Sequence, residues 1–171
     1  DRDERPELET YYQSPQGHFF IHYDTLGDDA PSQSDLDNSG IPDYVEQAAL
    51  AADSSRYILT KVMGFIEETD DSDEKYDIYI KSLGSSLWGV TQYESEGSSF
   101  IKIRNNYDNM SDFCSNSNEL LWLTVAHEFF HAIQYTYRNS SSDSYFREMT
   151  SMWFENVFVE NCYDFLDFAD M

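Results

Sequence analysis

Residues 124–133 read Thr-Val-Ala-His-Glu-Phe-Phe-His-Ala-Ile. His127 and His131 stand four apart, which on a helix puts both imidazoles on one face, one turn from each other, where they can grip a single cation. Glu128, beside the first histidine, can reach a zinc-bound water, accept its proton and pass it to a leaving amine, as peptide hydrolysis requires. A chance His-Glu-x-x-His in a chain of this composition has a probability on the order of one in a hundred. The flanking residues are uncharged or apolar, so a helix carrying these three side chains would be desolvated for no gain unless a metal offset the cost. The bland alternative is a pair of core or surface histidines.

A catalytic zinc takes three protein ligands and keeps one position for water. Glu148 lies 17 residues after His131, beyond a Ser-rich turn that has room to reverse the chain, and is the predicted third ligand. Glu155, two turns further along the same face, could orient a ligating histidine through its second ring nitrogen or be the ligand itself. His18 and His22 are the remaining candidates, although core packing or a surface pair explains them without metal.

A second constellation runs from Asp35 to Glu46. Asp35, Asp37, Ser39, Asp43 and Glu46 place oxygens at positions one, three, five, nine and twelve of a loop, with Gly40 at six and the Ile41 carbonyl at seven. That is the spacing of an EF-hand calcium loop, and Gly40 permits its sharp turn. Pro31 in the flank and Pro42 after the turn argue for a lone loop-helix calcium site rather than an EF-hand domain. The competing reading is a solvated turn in which Asp43 and Glu46 cap the following helix.

The run from His127 to Tyr135, followed by Glu148, resembles the gluzincin branch of the zincin metallopeptidases, a likeness carried by residues 119–160. With the segment 18–23 and the Asp-rich turn, the chain also resembles secreted bacterial metalloproteases over most of its length. The resemblance implies a zincin-like fold, in which the edge strand of a mixed sheet aligns a peptide over a zinc held between two helices. One departure stands out. The thermolysin pattern places an aspartate four residues after the glutamate ligand to support a histidine, and this chain has Met152 there. Tyr135, Tyr137 and Tyr163 are the candidate phenols for steadying an oxyanion, each with packing as its alternative role.

The elements that must position these groups follow from periodicity. Residues 18–23 read as a strand, 24–40 as a loop, and 42–66 as a long helix with Val45, Ala48, Ala49, Ala52, Leu59, Val62 and Ile66 at helical spacing. An acidic connection over 67–74 precedes three strands, 76–80, 88–93 and 100–104. A polar loop leads to the helix 119–137 that carries the histidines, and a turn at 139–144 leads to the ligand helix 145–159. The expected fold class is α+β, a small mixed sheet packed on long helices, in a single metallopeptidase domain with a polar leader over 1–15 and a C-terminal continuation expected beyond Met171.

Composition narrows the partners. The chain has 171 residues, 40% apolar and 16% aromatic, enough for a core. Its formal charge of -23 would repel nucleic acid and anionic lipid and suits a chain that binds calcium, works in high salt or stays soluble outside a cell, while the protein or peptide substrate is what the metal motif implies. No apolar run approaches the length of a membrane span. Cys114 and Cys162 lack Cys-x-x-Cys spacing, which excludes a cysteine zinc site. They form either a disulfide, worth about 4 kcal/mol in the chain-entropy model, or two unpaired buried thiols. These features together predict a secreted, extracellular, monomeric zinc endopeptidase stabilised by calcium. Two other readings stay open: a calcium-stabilised extracellular binding or adhesion module on a zincin scaffold with little or no catalysis, and metal-dependent hydrolysis of something other than a peptide.

Overall fold

In the computed structural model, which describes residues 4–69, 74–84, 87–108, 114–159 and 162, strands β1 (Thr10–Gln13), β2 (Phe19–Tyr23), β3 (Tyr76–Lys81), β4 (Gly89–Tyr93) and β5 (Ser99–Arg104) form one sheet. Its order is β1-β2-β3-β5-β4. The inner pairs β2/β3 and β3/β5 are parallel, and the outer pairs β1/β2 and β4/β5 are antiparallel, so the sheet is mixed and open. The central strands read as near-continuous buried runs from Tyr76 to Ile80 and from Ser99 to Ile103, as expected where both faces are covered.

One face is covered by two long helices, α1 (Asp43–Arg56) and α2 (Ser117–Tyr137), and α3 (Ser144–Phe158) packs on α2. The small side chains Ala48, Ala49, Ala51 and Ala52 let α1 approach closely, and Phe129 of α2 meets Phe19 and Tyr76 edge-on in the core. The opposite face is covered in part by the N-terminal segment. Arg5 pairs there with Asp77 and Glu94, and its guanidinium lies 5.2 Å above the Phe100 ring.

Three local features differ from the periodicity-based expectations. The helix predicted over 42–66 stops being α-helical at Arg56 and continues as a π-helical turn, Tyr57–Val62. Across the wider turn Leu59 is fully buried while Val62 faces outward at 64% exposure, and Ile66, 60% exposed, lies in the irregular segment beyond the helix. A short strand, β1, falls within the expected polar leader, because Tyr12 and Thr10 pair with Ile21 and Tyr23 of β2. Helix α2 begins two residues earlier than its apolar pattern, at a capping exchange: Asn116 accepts from the Glu119 N–H at 3.0 Å and Glu119 accepts from the Ser115 N–H at 3.0 Å.

Cys114 and Cys162 are joined in a disulfide. It ties the approach to α2 to the exit from α3, and closing a loop of 48 residues restricts the unfolded chain. Among the described residues, no helix is long and apolar enough to cross a membrane.

Candidate metal centre

The α2 backbone holds the His127 and His131 rings almost perpendicular, with their Nε2 atoms 3.0 Å apart. Helix α3 crosses so that Glu148 meets both, with its two oxygens 3.4 Å from His127 Nε2 and 3.4 Å from His131 Nε2. One ligand atom from each of the three residues lies within 4.8 Å of the others. The side chains of His127 and His131 are 17% and 9% exposed against 59% for Glu148, so the group opens to solvent on the α3 side.

The other ring nitrogens are already engaged. His127 Nδ1 bonds Glu155 Oε1, and Glu155 is 3% exposed, so this pair is enclosed between α2 and α3. His131 Nδ1 lies 2.9 Å from Gln134 Oε1, and Gln134 Nε2 reaches the Arg147 carbonyl at 3.2 Å and Thr150 Oγ1 at 2.9 Å. Because a carbonyl can only accept, Gln134 must present its N–H to Arg147 and its oxygen to His131. Both Nδ1 atoms therefore donate, which leaves the two Nε2 lone pairs turned toward each other and toward a carboxylate. Three acceptors at this spacing need a proton or a metal cation between them. Two imidazole nitrogens and one carboxylate oxygen are a donor set suited to zinc, and to other divalent ions that accept nitrogen and oxygen.

The protein's own charges favour a cation at this point. Burial disfavours the imidazolium of His127, but hydrogen bonds to Glu148 and Glu155 and the charge of Glu128 outweigh it and raise its pKa from 6.5 to about 10. Hydrogen bonds from His127 and His131, the first being the larger, hold the Glu148 carboxyl well below its ordinary range against the opposing effect of burial.

Glu128 points from α2 toward the edge strand β4. It is 7% exposed, and its Oε2 accepts from Thr91 Oγ1 at 2.7 Å. Of the candidate phenols, Tyr135 packs edge-on against Tyr93 with the Arg147 guanidinium 5.3 Å from its ring centroid. Burial raises the Tyr135 pKa, Arg147 opposes this, and Glu128 and Glu148 add to the rise, which sets the phenol within electrostatic reach of both carboxylates. Tyr137 is turned the other way, where its hydroxyl accepts from the Ile66 N–H at 2.8 Å. Tyr163 lies outside the described residues.

His18 and His22 do not join this group. His18 Nε2 lies 3.2 Å from Arg56, and His22 bonds Asp77 at 2.7 Å while stacking on Tyr79. The support that Met152 cannot supply comes from Glu155, seven residues after Glu148, and from Gln134 with Ser151, whose hydroxyl is 3.3 Å from His131 Nδ1. Gln134 and Ser151 carry no sequence signal of this role. Only the crossing of α3 over α2 reveals it.

In the Asp-rich loop, Asp35, Asp37 and Asp43 also offer oxygens within 4.8 Å of one another. Asp35 accepts from the Ser39 and Gly40 N–H groups at 3.0 Å each, Asp37 from Ser39 at 2.9 Å, and Asp43 from Leu36 at 3.2 Å and from the Ser34 hydroxyl at 2.9 Å. Gly40 takes φ 88°, as the turn requires. The Ser39 hydroxyl donates to the Ile41 carbonyl at 3.3 Å, and Glu46, in the first turn of α1, stands outside the three-carboxylate group. Among the described residues, two clusters able to chelate a metal ion are thus present. No family model, curated protein or solved structure matches the chain.

Proposed function

We propose that the chain is the catalytic domain of a secreted, zinc-dependent endopeptidase with a zincin-like fold of the gluzincin type. The observation that carries this reading is the pair of Nε2 lone pairs on His127 and His131, 3.0 Å apart and opposed by the Glu148 carboxylate, with both Nδ1 atoms committed elsewhere. His127, His131 and Glu148 would hold the zinc, which when bound supplies a Lewis acid that lowers the pKa of water and polarises a scissile carbonyl.

This chain's own groups do the rest. Glu128 takes the proton of the attacking water and passes it to the leaving nitrogen. Strand β4 is the sheet edge beside Glu128, and the outer edge of a strand offers its N–H and C=O groups to an extended peptide. Tyr135, packed against Tyr93 of β4, is the phenol we assign to donate to the developing oxyanion. Asp35, Asp37 and Asp43, with Ser39 and the Ile41 carbonyl, would hold a structural calcium ion. The Cys114–Cys162 disulfide supports an oxidising, extracellular setting.

Glu128→Gln should retain one zinc per chain while casein hydrolysis falls by about 100-fold or more. Unchanged turnover with zinc bound would overturn the assigned base. A zinc-loaded wild type that cleaves nothing in a peptide library would favour the binding or adhesion module instead.

A further inference from the structure

We infer that Thr91 is a positioning residue for Glu128, holding the general base on the edge strand; this rests on the peptidase reading. Gly89, Thr91 and Tyr93 share the face of β4 that lies against α2, because successive side chains of a strand alternate. Along that face Gly89 meets Thr124 and Glu128, Thr91 meets Glu128, and Tyr93 meets Tyr135. Thr91 is the one buried residue of the strand, at 8% exposure.

A buried hydroxyl needs a partner, and both of Thr91's are on one residue. Its Oγ1 is 2.7 Å from Glu128 Oε2 and 2.7 Å from the Glu128 carbonyl, and its one proton, given to either oxygen or shared between them, holds β4 against Glu128. Gly89 completes the slot. A Cβ there would stand 2.7 Å from Glu128 Cγ and 3.0 Å from Glu128 Oε1, too close for any side chain to be added without moving the base. Glutamate otherwise has three rotatable bonds with which to wander. A hydrogen bond to its ionised oxygen is charge-assisted, and it acts on the same strand whose outer edge would hold the substrate.

Valine has threonine's shape and a strong preference for strands, so Thr91→Val removes the hydroxyl and spares the packing. In the zinc-loaded protein, this change should lower kcat by about 10- to 100-fold, because a misplaced base loses its alignment. KM should stay within about twofold, since the lost contact serves only the reacting geometry, and zinc content should not change. Thr91→Ser, which keeps the hydroxyl, should recover most of the rate. A crystal structure of zinc-loaded Thr91→Val should show the Glu128 carboxylate turned away from β4.

The inference is overturned if Thr91→Val keeps the wild-type kcat, if Thr91→Ser falls as far as Thr91→Val, or if the carboxylate stays in place in the crystal. Should Thr91→Val not fold, Thr91→Ala is read in the same way. Failure of the wild type to cleave peptides would sink the peptidase reading instead, and the crystallographic position of Glu128 would still decide the role of Thr91.

Discussion

The two acidic clusters of this molecule are built on opposite principles. In the loop that begins at Asp35, the carboxylates accept from backbone N–H groups only two to seven residues away in the chain, and much of their hydrogen-bonding capacity is met locally. In the helical centre the ligand atoms come from α2 and α3, and the neighbours that orient them, Glu155 and Gln134, are enclosed by the packing of those two helices. Asp-rich turns form whether or not an ion binds, because the turn itself uses the oxygens. Two imidazole Nε2 atoms and a carboxylate brought this close need a proton, which His127 carries in the metal-free protein, or a metal cation in its place. The helical centre is therefore the stronger indication of a metal.

The largest test of that contrast is zinc binding itself. His131→Ala removes one of the two converging nitrogens and should weaken zinc by more than about 100-fold, beyond the usual effect of changing an outer partner. Asp37→Asn should leave zinc content unchanged. Equal losses in both variants, read by elemental analysis after dialysis, would break the distinction between the two clusters.

A middle-sized effect concerns protons. His127, with its pKa raised to about 10, must release a proton to admit a cation. Apparent zinc affinity should then rise about tenfold for each pH unit below that point. In the metal-free protein the sign reverses: the raised pKa stabilises the fold fully below pH 6.5, and that contribution disappears as pH climbs through about 10. Calorimetry at pH 7.5 in two buffers of different ionisation enthalpy should register about one proton released per zinc. No release would mean that the site is not protonated as its charges demand.

The smallest effect belongs to the loop. Asp43→Asn removes a charge in the first turn of α1 that favours the positive end of the helix dipole and accepts from Leu36, and should lower Tm by about 2–4 °C. Millimolar calcium should raise the Tm of the wild type and not that of the variant. A wild-type Tm indifferent to calcium would leave these carboxylates as turn formers only.

How much was legible beforehand depended on the range of the interaction. Helix α2 and the pairing of its histidines followed from periodicity, which is local, while its capped start at Asn116 was not read from the apolar pattern. The central strands were legible because their apolar residues alternate with period two, with Ile78, Ile80, Ile101 and Ile103 on the face that meets the helices. Strand β1 was not, since Thr10–Gln13 is a short edge strand whose identity depends on its partner β2. The π-helical turn at Tyr57 and the end of the helix after Val62 also escaped, because Val62 and Ile66 keep α-helical spacing in the sequence while Ile66 lies in the segment beyond the helix.

The sequence by itself determined the pair of histidines on one helix face, the glutamate beside them and the Asp-rich turn, because each depends on residues within one helical turn or one loop. Tertiary structure alone decided which glutamate faces the two Nε2 atoms and which one grips a ring from behind. It also supplied Gln134 as the second support and Thr91 as the contact of the base. These choices depend on how α3 and β4 cross α2. A crossing is set by the packing of whole elements, and no spacing along the chain records it.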